Sequence, residues 1–66
     1  MTLDNKKLRL LMCEKGFNVA SLARASGLAE CSINLYVNHG TRPRLDNLGK
    51  LAKALGVSVL ELVKEV

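Results

Sequence analysis

The sequence predicts an all-α fold of five short helices. Three observations predict it. Gly16, Gly27, Gly40 and Gly56 cut the 66 residues into pieces of helix length, and Pro43 comes shortly after Gly40. Apolar residues recur within those pieces at spacings of three and four, and no piece alternates with period two, so no sheet is expected. Phe17 and Tyr36 are the only aromatics, so aliphatic side chains must fill the core, which suits packed helices better than a β-sandwich. The length fits one domain, read as residues 1–66. A chain of this size buries roughly 60% of its unfolded surface, so its core is small.

The first helix is expected over 4–15. Asp4 caps it, and Leu8, Leu11, Met12 and Lys15 share one face, with the Lys15 methylenes along the core edge. Gly16 stops it. The second is expected over 19–26, capped by Asn18, with Phe17 stapling onto Leu22. The third is expected over 30–38, with Ile33, Tyr36 and Val37 on one face and the Tyr36 hydroxyl reaching the surface. Residues 38–43 read as a loop. The fourth is expected over 45–55, where Leu45, Leu48, Leu51, Ala52 and Leu55 make a stripe. Gly49 inside it costs about 1 kcal/mol relative to Ala. Ser58 caps a fifth helix through Leu60, Leu62 and Val63.

Ten Lys and Arg against six Asp and Glu give a net charge of +4, which favours a polyanionic partner. Cys13 and Cys31 are too few for a disulfide framework and read as reduced thiols, which points to a cytoplasmic protein. No signal peptide is expected, because Met1 runs into Asp4, Asn5, Lys6 and Lys7 without an apolar stretch. No apolar run approaches a membrane span. Cys13, Cys31 and His39 lack zinc-finger spacing, so neither a metal nor another cofactor is expected, and no small-molecule ligand is evident. No nucleophile has a plausible base beside it and no glycine loop would cradle a phosphate; the chain does not read as an enzyme.

The informative stretch runs over 22–33. Ala23 lets a second helix approach closely, and Gly27 stands where the turn needs a positive φ. Leu22, Leu28, Ile33 and Tyr36 then face inward and lock two helices together. This spacing fits a helix-turn-helix, whose second helix enters the DNA major groove. From Leu8 to Leu62 the chain resembles the lambda-repressor-like (Cro/cI or XRE) helix-turn-helix family. The resemblance rests on an ordered set. It comprises Lys15, Gly16, Phe17 and Asn18, then Leu22 and Ala23, Gly27 and Leu28, Ile33, Arg42 and Pro43, Leu48, and Leu51 through Ser58. It implies a five-helix fold, sequence-specific DNA binding and control of transcription.

This chain departs from the family pattern at four places. Val19 stands where relatives carry a DNA-contacting Gln. Met12 and Val37 replace an Arg–Glu ion pair, a joint exchange that keeps the two positions compatible. His39 stands where relatives tend to have Gly.

The family's docking geometry implies that Glu30, Cys31, Asn34 and Leu35 face base edges. Asn34 offers both amide atoms to adenine. Leu35 or Cys31 packs on a thymine methyl. Glu30 accepts from a cytosine amino group or is a plain surface charge. Phosphate contacts fall to Asn18, Asn38, Thr41, Arg42 and Arg44, with Ser21 and Ser32 as lesser candidates. Lys6, Lys7 and Arg9 read as a solvated helix face. An oxidised Cys31 thiol would sit in the groove, but nothing in the sequence marks that thiol as activated.

The leading expectation is a repressor or other transcription regulator that binds a pseudo-palindromic operator on double-stranded DNA as a homodimer. Val57, Val59, Leu60, Val63 and Val66 would form the dimer surface, unless several of them only complete the core. The alternative is a protein-interaction module on the same fold, such as an antirepressor or antitoxin-like binder. It is favoured by the lack of any Arg or Lys between Leu28 and His39.

Overall fold

The segments between the glycines do form helices, and the first and last described residues pair in a ribbon that their sequence does not announce. The computed structural model describes residues 2–39 and 42–64. The elements in order are β1 (Thr2–Leu3), α1 (Asn5–Lys15), α2 (Val19–Ser26), α3 (Glu30–His39) and α4 (Leu45–Leu55). A 3₁₀ turn (Val59–Glu61) and β2 (Val63–Lys64) follow as the last elements of the described residues.

Local chemistry sets the helix ends. The Asp4 carboxylate accepts from the Lys6 and Lys7 amides at 3.1 and 3.3 Å, which satisfies two of the orphan donors of α1. Asn18 and Ser21 form a reciprocal box at the start of α2. Asn18 Oδ1 accepts from the Ser21 amide at 2.8 Å, and Ser21 Oγ accepts from the Asn18 amide at 2.9 Å. At the end of α2 the chain passes through Gly27 with φ 76°, and the amides of Gly27 and Leu28 both donate to the Ala23 carbonyl. That left-handed residue turns the chain sharply enough for α3 to start three residues later.

The core is one cluster. Leu8 and Met12 of α1, Leu22 and Ala23 of α2, Ile33 and Tyr36 of α3, and Leu48, Leu51, Ala52 and Leu55 of α4 are buried together. Leu3, Leu62 and Val63 close it from the ribbon side. Leu11, Phe17, Leu28 and Val37 pack half-buried against it. Helix α2 packs on α3 and α4, and α1 packs on α3. The apolar exchange at Met12 and Val37 is accommodated, since Met12 is buried and Val37 lies on the core.

Several expectations need correction. Four α-helices are present among the described residues, where five were expected. The Ser58 hydroxyl does cap its segment, through the Leu60 amide at 3.3 Å. That segment, however, is a single 3₁₀ turn closed by Glu61 to Ser58 and Leu62 to Val59 backbone bonds. The stretch is too short to repay helix nucleation, and its valines favour extended backbone. Val63 and Lys64 leave the turn extended and pair antiparallel with Leu3 and Thr2, so a two-stranded sheet exists. Leu45 is 79% exposed and drops out of the α4 stripe, which at the first residue of the helix has run past the edge of the core. Lys15 is likewise exposed.

The Gly27 bend has a measurable cost of alteration. A Cβ built at Gly27 meets nothing within 4 Å, so substitution strains the backbone without a clash. Gly27→Ala is expected to lose about 1–2 kcal/mol of stability in chemical denaturation. A loss below a few tenths would show that the bend relaxes freely.

Candidate nucleic-acid interface

Helix α3 divides cleanly into two sides. Ile33 and Tyr36 point into the core, while Glu30, Cys31, Asn34, Leu35, Asn38 and His39 are exposed. Cys31, Asn34, Leu35, Asn38 and His39 line an open depression of about 240 Å³. Their spacing of three and four residues makes them one continuous strip along the helix. The strip offers two side-chain amides, a thiol, an imidazole and a 46%-exposed leucine, and carries neither Lys nor Arg. Such a surface has the chemistry to match hydrogen-bond patterns and methyl groups, and it offers no Lys or Arg to a phosphate. Glu30 lies in the first turn of α3, where the helix dipole favours a carboxylate.

The cations lie on neighbouring elements. Arg42 and Arg44 are exposed just before α4, and Arg44 Nε lies 3.5 Å from Asp46 Oδ1 with both side chains largely in solvent. A surface pair of that kind contributes little and leaves the guanidinium open to a second anion. Asn38 is exposed at the far end of α3. Asn18 is exposed too, though its carbonyl oxygen is held by the cap, leaving the amide nitrogen to face outward contacts. Ser21 is half-buried and its hydroxyl also donates to the Asn18 carbonyl at 3.2 Å, so its bonding capacity is spent within the box. Ser32 is half-buried. Thr41 lies outside the described residues, as does Gly40 of the same loop.

Two positions read as solvated are engaged. Arg9 Nε donates to the Val37 carbonyl at 3.2 Å, joining α1 to the C-terminal end of α3. Lys7 Nζ donates to the Val63 carbonyl at 3.5 Å, joining α1 to β2. Asn47 received no role from the sequence, yet its Nδ2 donates to the Tyr36 hydroxyl at 3.1 Å. The phenol is therefore bonded to α4, where it was expected to reach the surface. That bond sets the first turn of α4, with Arg44 just ahead of it, beside the second half of α3.

On the dimer candidates, Leu60 is 74% exposed, and Val57 and Val59 are half-buried against the core. Val63 is 6% exposed because its side chain belongs to the core cluster, which removes it from any partner surface. Val66 lies outside the described residues. Cys13 and Cys31 are both free and exposed. Among the described residues no three His, Cys, Asp or Glu side chains converge as a metal site requires, and no helix is long and apolar enough to cross a membrane.

A family model for the Cro/C1-type helix-turn-helix DNA-binding domain matches residues 7–65. The chain belongs to that family. Several solved structures resemble this Cro/C1-type chain closely. The restriction-modification controller protein C.AhdI from Aeromonas hydrophila superposes with TM-score 0.83 at 32% identity, covering 89% of each chain. The hypothetical transcription factor NHTF from Neisseria gives TM-score 0.75 at 26% identity, over 92% of this chain and 78% of the other. HEPD from Streptomyces albus, solved with its substrate 2-hydroxyethylphosphonate and Fe(II), gives TM-score 0.84 at 36% identity over 89% of this chain. The Cro/C1-type chain matches only 13% of the HEPD chain. No curated protein sequence matches significantly.

The cap that shapes the site should also stabilise the molecule. Asn18→Ala removes the acceptor for the Ser21 amide and is expected to lower stability by about 0.5–2 kcal/mol, read from thermal or urea unfolding.

Proposed function

We propose that this Cro/C1-type protein is a sequence-specific transcription regulator, acting as a repressor that lays α3 in the DNA major groove. The observation that carries the reading is the exposed Cys31, Asn34, Leu35 and Asn38 strip, presented by the Gly27 bend and bare of any covering element among the described residues. Asn34 binds adenine through both amide atoms, Leu35 or Cys31 packs on a thymine methyl, and Glu30 either accepts from cytosine or serves only the helix. Arg42, Arg44, Asn38, Thr41 and the free amide of Asn18 hold the phosphates and set register. Ser32 is a weaker phosphate candidate, and Ser21 is weaker still.

The controller protein and the transcription factor support a regulatory role, since both share the fold over most of their own length. Two copies would read a pseudo-palindromic operator with half-sites about 34 Å apart. The dimer surface would be built around exposed Leu60, with Val57, Val59 and Val66 at its margin. The protein would work in the cytoplasm.

A protein-interaction module is the second reading. It is favoured by the absence of Lys and Arg from α3 and by a likeness to a segment of a phosphonate-binding iron enzyme. The two readings separate on duplex binding. Selection of bound duplexes from a random pool, then a salt titration by fluorescence anisotropy, should give one enriched motif and steeply salt-dependent affinity. No binding to any duplex at low salt would favour the module.

Within the first reading the roles divide. Asn34→Ala should abolish about 1–3 kcal/mol of preference at one base pair while leaving binding to random duplex unchanged. Arg42→Ala should weaken binding to all duplexes alike and reduce the magnitude of the salt slope by about 0.9. Equal losses on selected and random duplexes for Asn34→Ala would remove it from base reading.

A further inference from the structure

We propose that Arg9 and Asn47 are positioning residues that aim α3, fastening its C-terminal half from two sides. The inference rests on α3 being the reading helix. Its basis is a pair of bonds that converge on adjacent residues. Arg9 Nε of α1 donates to the Val37 carbonyl at 3.2 Å, and Asn47 Nδ2 of α4 donates to the Tyr36 hydroxyl at 3.1 Å. Both donors come from other helices, across 28 and 11 residues of sequence. Neither residue lines the depression on the outer side of α3.

The chemistry explains why these bonds are placed there. The last four carbonyls of a helix have no partner inside it, and Val37 is one of them in α3. A guanidinium supplies a charge-assisted donor and sets a positive charge at the negative end of the helix dipole. The Tyr36 ring is buried, so its hydroxyl has few directions in which to find a partner, and Asn47 occupies one of them. The N-terminal half of α3 is fixed separately, by the tight turn at Gly27 and by the Ser32 and Ile33 amides bonded to the Ala29 carbonyl. A helix of ten residues is about 15 Å long, so a tilt of about 10° about its start moves its far end by roughly 2.5 Å. Base readout tolerates much less displacement than that. The two latches remove this freedom at the end where it is largest.

The experiment uses Arg9→Met, which keeps the aliphatic stem and removes the donor, Arg9→Lys, which keeps charge and a donor, and Tyr36→Phe. Amide hydrogen exchange is first measured on the free folded proteins. Arg9→Met and Tyr36→Phe should each speed exchange in the last turn of α3 by about fivefold and leave α2 unchanged. Anisotropy with the selected duplex should then show an affinity loss of about fivefold for each, little loss on random duplex, and an unaltered salt slope. Arg9→Lys should recover much of the loss. Unchanged exchange and affinity in Arg9→Met and Tyr36→Phe would overturn the proposal. So would equal loss on both duplexes with a salt slope smaller by about one, which would make Arg9 a phosphate contact. If wild-type protein binds no duplex while the exchange changes appear, the latches stand and the DNA reading falls.

Discussion

The left-handed turn at Gly27 is the constraint on which the rest of this molecule depends. Ala23 supplies one carbonyl that receives two amides, and the chain leaves α2 in a direction that L-residues other than glycine reach only with strain. Because of that turn, Ile33 and Tyr36 meet Leu22 and Ala23 in the core, and the opposite side of α3 is left outside. Exposure of the outward strip is thus a by-product of packing. The same residues that bury the inner face of α3 decide which side chains face away.

Charge is distributed in a complementary way. The outer face of α3 carries neither Lys nor Arg. Arg42 and Arg44 stand at the approach to α4, where Arg44 keeps only a loose pairing with Asp46. The two elements, α3 and α4, are joined by the bond between Asn47 and Tyr36. Arg9 and Lys7 each donate to a backbone carbonyl, so two of the cationic side chains also tie elements of the fold together.

The range of each interaction decides how legible it is in the sequence. Helices α2 and α4 fall at 19–26 and 45–55 as the sequence indicates, because Asn18, Gly27 and Gly56 are local signals that act within a turn of the helix end. The buried face of α3 was likewise legible from Ile33, Tyr36 and Val37. The ribbon was not, since strands of two residues carry no period and their partners lie at opposite ends of the chain. The stretch from Ser58 through Leu60, Leu62 and Val63 reads as helix because apolar spacing alone cannot separate a short helix from a 3₁₀ turn with an extended exit. At the site, periodicity marks the outward strip on α3. It is silent about Arg9 and Asn47, whose bonds are made across the fold.

The ribbon also fixes where the chain enters and leaves. Thr2 pairs with Lys64, and the Asp4 amide donates to the Leu62 carbonyl at 2.8 Å, so the first and last described strands run side by side. Covalent extensions grafted at those two strands would emerge as neighbours, like the two legs of a staple. Spliced into a longer polypeptide, such a unit would add a bump to its host and leave the distance between the flanking host segments nearly unchanged.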